Sequence, residues 1–141
     1  MELYVYSRDA LARVRPHEVP HAIVSVTSAP DDVARFPVPS TCVAVLRLAF
    51  ADLVPSEVDA STASLLFTRA HAQQIWAFFD QHRPNIARLL VHCDAGHSRS
   101  PAIAAAIARA CGLEHDNYFR QYEPNRHVYD TLLDVRALTG S

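Results

Sequence analysis

The chain has 141 residues, enough for one domain with a substantial core and too few for two of ordinary size. Half of the residues are hydrophobic, and 13 basic against 15 acidic side chains give a formal net charge of −2, so neither nucleic acid nor an anionic membrane is the expected partner. No apolar run is long enough to span a bilayer and the opening Met1-Glu2-Leu3-Tyr4-Val5-Tyr6 lacks the layout of a secretion signal, so a cytoplasmic protein is expected.

Leu3 to Tyr6, Ala22 to Val26 and Thr41 to Leu48 read as short strands, the second followed by a polar turn through Ser28, Pro30, Asp31 and Asp32. They are too apolar for a sheet wet on one face, which predicts strands covered on both sides. From Phe50 to Ser64 the pattern breaks into acids, Pro55 and small polar residues, a loop. From Thr68 onward Ala72, Ile75, Trp76 and Phe79 recur at helical spacing, and Pro84 closes that segment. Ala87 to Val91 is a buried strand, and Ala102 to Cys111 a helix of alanine and isoleucine. A short helix around Asn117 to Gln121 follows, and Val128, Leu132 and Val135 mark a last one. Strands alternate with helices, so the expected class is α/β: a central, mostly parallel sheet flanked by helices, in one domain over residues 1–141.

Between the fourth strand and its helix lies His92-Cys93-Asp94-Ala95-Gly96-His97-Ser98-Arg99-Ser100-Pro101. A cysteine and an arginine thus stand at the two ends of a tight loop that opens a helix. Ser100 suits the cap of that helix, Pro101 its first position and Gly112 its exit. A helix N-terminus offers unpaired N–H groups and partial positive charge, so a phosphate meets donors there without a metal. The same field favours a thiolate, which suits Cys93 to a nucleophile's role. Arg99 supplies a planar fork for two phosphate oxygens, and Gly96 lets the backbone curl close to the ligand.

This string resembles the phosphate loop of the cysteine-dependent protein tyrosine and dual-specificity phosphatases, His-Cys-x-x-Gly-x-Ser-Arg-Ser/Thr, at every fixed position. The resemblance implies a small dual-specificity-like domain with no cofactor. It makes Cys93 the nucleophile, Arg99 the clamp, Asp94, Ala95, Gly96, His97 and Ser98 the phosphate-binding backbone, and Ser100 a hydrogen-bond donor to the thiolate. The general acid of such enzymes is an aspartate upstream of the nucleophile. Asp52 is the candidate because it follows the third strand at the carboxyl end of the sheet. Asp59 is the rival, with Glu57 behind it, and no Trp-Pro-Asp string marks the position. The implied substrates are phosphorylated proteins or small phosphomonoesters, phosphotyrosine first, with phosphoserine and phosphothreonine left open because so short a chain has no room for the walls of a tyrosine-only pocket. Relatives that act on inositol lipids usually carry lysines in this loop, whereas Asp94, Ala95 and His97 add little positive charge.

Other side chains near the loop have plainer readings. His92 is expected to point into the protein and orient the loop, and His97 to face the pocket mouth or solvent. Asn125, in a Pro-Asn pair, either ties the last helix to the loop or caps it. Cys42, Cys93 and Cys111 are odd in number and unrelated in spacing, which argues for reduced thiols; Cys111 is a core residue or, less simply, a resolving thiol. No second Cys/His pair stands at ligand spacing, so no metal is expected. Two other classes remain open: a phosphate-binding module without turnover, and a sulfur-transfer or arsenate-reducing enzyme. The latter usually carries the loop near the N-terminus.

Overall fold

A computed structural model of the chain describes residues 1–138. Four strands, β1 (Glu2–Ser7), β2 (His21–Thr27), β3 (Cys42–Ala49) and β4 (Arg88–Cys93), form one sheet in the order β1-β4-β2-β3, with every pairing parallel. β4 and β2 are the inner pair, and their continuous apolar runs follow from that position: all seven residues of β2 and five of the six of β4 are buried.

Three long helices, α2 (Arg69–His82), α3 (Arg99–Ala110) and α5 (Arg126–Leu138), cover one face. Ile75, Trp76 and Phe79 of α2, Ile103 and Ile107 of α3 and Val128 and Leu132 of α5 meet Val24, Leu89 and Val91 of the sheet in the main core. Trp76 pays no polar penalty there, because its Nε1–H donates to Leu132 O at 2.8 Å. A short helix, α4 (Asp116–Gln121), connects α3 to α5 after Gly112, which takes φ +71° at the helix exit as the sequence suggests.

The other face is covered more thinly than expected. A six-residue helix, α1 (Arg8–Arg13), and the 28–41 connection lie there, with Leu11 packed on Ile23 and Leu90, and Phe36 and Val45 alongside. The sequence reading missed α1, although its start is marked: Ser7 Oγ accepts from Ala10 N at 3.0 Å, and Asp9 pairs with Arg13 one turn on. Edge strand β3 is only half covered and keeps Val43 exposed. Among the described residues no helix is long and apolar enough to cross a membrane.

The strands being parallel, Ser7, Thr27, Ala49 and Cys93 all end at one edge of the sheet. The 28–41, 50–68 and 94–98 connections therefore gather at that edge, where open α/β sheets bind ligands.

Candidate active site

Cys93 ends β4 at the floor of this edge and is 2% exposed. The chain then turns through residues 94–98 into α3. Glycine is required at 96 twice over: its φ is +68°, and an added Cβ would lie 2.5 Å from Ser7 N at the end of β1. This close approach lets the loop curl back over the sheet edge. Beneath it His92 is fully buried. Its Nε2 lies 2.6 Å from Ser25 Oγ and its Nδ1 3.4 Å from Cys93 O, contacts that the neutral Nδ1–H ring satisfies together. Burial pushes the His92 pKa below the ordinary imidazole value. His92 thus points inward, as expected, and braces the loop.

The helix starts earlier than the sequence suggests. α3 begins at Arg99 with Ser98 at the cap position, so Ser100 and Pro101 lie inside its first turn rather than at the cap and the first position. The side chains explain the shift. Ser98 Oγ donates to Asp52 Oδ1 at 2.8 Å and makes no capping bond, while Ser100 Oγ turns onto Cys93 Sγ at 3.1 Å. Ser100 N also donates to Sγ, at 3.4 Å. The amides of Ala95, Gly96, His97 and Ser98 find no acceptor among the described residues. A concave run of backbone donors at a helix N-terminus suits a tetrahedral oxyanion.

Arg99, 5% exposed, can be accounted for proton by proton. Nη1 donates to Ser28 Oγ at 3.0 Å and Phe50 O at 2.8 Å, and one hydrogen of Nη2 goes to Asp94 Oδ2 at 3.3 Å. Of the five donors of a guanidinium, the Nε–H and the second Nη2–H remain, and these form one parallel edge. Among the described residues Nε is the only buried side-chain nitrogen or oxygen without a partner. A buried donor left unpaired costs about 1–3 kcal/mol. An anion with two oxygens removes that cost, so the residues present fit a phosphate.

Asp52 lies beside the loop. Phe50, two residues earlier, is buried against Phe67 with ring centroids 4.7 Å apart, which anchors the start of the 50–68 connection. Asp52 Oδ1 accepts from Ser98 Oγ and from Asn125 Nδ2, both at 2.8 Å. Among the described residues Oδ2 has no such partner. Asn125 does both of the things the sequence left open. Its Nδ2 donates to Asp52 Oδ1 and to Leu53 O at 3.0 Å, its Oδ1 accepts from Val128 N at the start of α5, and its own N–H donates to Ser98 O. The sequence named Asn125 for the loop and the helix but not as the partner of the acid. That pairing joins residues 73 positions apart, and no local pattern carries it.

Asp59 is differently disposed. Its Oδ1 accepts from Ser61 N, Ser61 Oγ and Thr62 N within its own turn, and the Ser61 hydroxyl bond above all holds its pKa below the ordinary carboxylate value. His97 stands at the mouth with its ring 6.5 Å from that of Tyr122, and Glu123 N donates to His97 O. Among the described residues no group of three or more His, Cys, Asp or Glu side chains forms a metal-binding cluster. Cys42, Cys93 and Cys111 are all free thiols.

No family model and no curated protein matches the sequence. Solved structures match the architecture. The human tyrosine phosphatase-like serine/threonine/tyrosine-interacting protein is similar over 99% of this chain and 93% of its own, with a TM-score of 0.66 at 18% identity. Human DUSP28 is similar over 98% and 94%, with a TM-score of 0.57 at 23% identity. PTPMT1 in complex with PI(5)P is similar over 99% and 93%, with a TM-score of 0.57 at 16% identity. Identities this low establish the architecture, and the chemistry has to be argued from the site. This chain has the α/β fold of the dual-specificity phosphatases.

Proposed function

We propose that this chain hydrolyses phosphate monoesters through a phosphocysteine intermediate. The observation that carries the proposal is the Nε–H of Arg99: buried and, among the described residues, unpaired, on a guanidinium anchored through Nη1 and Nη2, at the end of a loop whose first residue is a cysteine at the sheet edge. In the first step the Cys93 thiolate attacks phosphorus and the S–P bond forms. The ester oxygen leaves with a proton from Asp52, held on Oδ2 because Oδ1 already accepts two hydrogen bonds. In the second step Asp52 takes a proton from water, whose oxygen attacks phosphorus. The S–P bond then breaks, with Ser100 Oγ donating to the returning thiolate. The loop amides and Arg99 hold the equatorial oxygens throughout. Asp59 is the weaker candidate for the acid, since its Oδ1 is engaged by Ser61 and Thr62 within its own turn, whereas Asp52 is bonded directly to Ser98 of the loop.

The substrates we infer are phosphoproteins, phosphotyrosine first. Aromatic side chains beside the loop, His97 with Tyr122, suit an aryl ester, and the Asp94 carboxylate at the clamp disfavours ligands with several phosphates. The test is hydrolysis of para-nitrophenyl phosphate by the full chain in two separate arms, one with and without a metal chelator and one, free of chelator, with and without vanadate. Metal-independent, vanadate-sensitive hydrolysis is expected. Oxyanion binding without turnover would instead favour a phosphate-binding module, a possibility that the fold leaves open because one similar structure is of a protein described only as phosphatase-like.

A further inference from the structure

The proposed mechanism gives the Asp94 side chain no part, yet its carboxylate turns back onto the clamp. Oδ2 accepts from Arg99 Nη2 at 3.3 Å and from Ser28 Oγ at 3.4 Å, and Oδ1 lies 3.7 Å from Arg8 Nη1. Arg8 offsets that charge only in part, because the Arg8 guanidinium is also held in a closer, bidentate pair by Asp32 at 2.7 and 2.8 Å. Around the oxyanion position the two cations, Arg8 and Arg99, are thus balanced by two carboxylates, Asp32 and Asp94. A phosphate gripped by Nε and Nη2 shares Nη2 with Asp94 and lies beside a fixed negative charge. Nothing in the mechanism requires that charge, since Ser28 and Phe50 O already anchor the guanidinium through Nη1.

We propose that the Asp94 side chain limits the affinity of the phosphate loop for dianionic oxyanions, so that inorganic phosphate is held weakly and ligands with additional negative charge near phosphorus are disfavoured. This rests on the oxyanion-binding half of the proposed function and not on turnover. A carboxylate 44% exposed, a few ångströms from a dianion, acts through a dielectric between that of the surface and the interior.

The test is calorimetric titration of the full chain and of Asp94→Asn with tungstate at low and high salt. Asparagine still accepts from Nη2 but removes the charge, so it should bind tungstate about three- to tenfold more tightly at low salt, with the advantage shrinking as salt screens it. Asp94→Ser, smaller and also uncharged, should shift the same way. Equal or weaker binding by both variants overturns the proposal and makes the carboxylate a support for Arg99. Para-nitrophenyl phosphate hydrolysis, measured in parallel, separates the two ideas. Tighter tungstate binding without hydrolysis by the parent upholds the role of Asp94 and removes the phosphatase. No tungstate binding by any of the three proteins overturns both.

Discussion

Replacing Asp52 with asparagine isolates a single proton. The asparagine Oδ1 can accept from Ser98 Oγ and Asn125 Nδ2 as the carboxylate oxygen does, both now at 2.8 Å, so the 50–68 connection stays docked. Stability should change by less than about 1 kcal/mol, the scale of one net hydrogen bond. What is lost is the acidic Oδ2. General acid catalysis contributes roughly 10²–10⁴-fold, equivalent to about 3–5 kcal/mol of barrier. That loss should appear in kcat for phenyl and alkyl phosphates, whose leaving oxygens need a proton. It should be much smaller for nitrophenyl esters, whose leaving groups depart as anions. The assay is steady-state kinetics of parent and variant across a series of esters with increasingly acidic leaving groups. A uniform loss across the series, or none, refutes the assignment. The graded loss appearing in Asp59→Asn instead would move the role to Asp59.

Four further outcomes follow from named contacts. Arg99→Lys should lose at least about 100-fold in kcat/KM, because an ammonium cannot supply the Nε/Nη2 edge; parent-like kinetics would remove the clamp from the mechanism. Gly96→Ala combines a φ of +68° with a Cβ 2.5 Å from Ser7 N, so thermal unfolding should show roughly 2–5 kcal/mol of destabilisation, and a change under about 0.5 kcal/mol would contradict the close approach. Asn125→Ala removes the cap of α5 and the tether of Asp52 together; a lower Tm with a fall in kcat larger than any change in KM is expected, whereas a pure stability effect would deny the positioning role. Burial depresses the pKa values of His92, His71 and His17, so the folded state binds fewer protons than the unfolded chain, and stability should be full above the unfolded imidazole value of about 6.5 and decline as pH falls through the folded values. A His92→Asn variant should show a shallower decline in Tm towards acid, and an unchanged slope would exclude His92 from that linkage.

The parts of this molecule legible in the sequence are those in which neighbouring residues determine one another. The inner strands β2 and β4 announce themselves as unbroken apolar runs, and the loop from His92 to Ser100 carries its chemistry in consecutive letters. α2 and α5 follow from helical spacing of their buried residues. α1 is not legible as a helix because six residues give less than two turns of periodicity, although Ser7 and Asp9 mark its start. α3 starts two residues before the position its sequence suggests. A serine followed by proline reads locally as a cap, whereas Ser100 is drawn to Cys93 and Ser98 to Asp52 by contacts that only the folded chain brings together. The Asn125–Asp52 bond and the ion pairs of Asp94 likewise span distant segments, and no pattern within either segment encodes them.

The central claim is that Cys93 forms a covalent phosphoryl intermediate. Mixing the full chain with para-nitrophenyl phosphate, quenching in acid within the first turnovers and mapping the peptides by mass spectrometry tests it directly. The expected result is a phosphoryl group on the peptide that contains Cys93, absent from Cys93→Ser, which should also lose turnover while retaining tungstate binding. Hydrolysis that continues within tenfold of the parent rate in Cys93→Ser, or a phosphoryl group on any other residue, would contradict it.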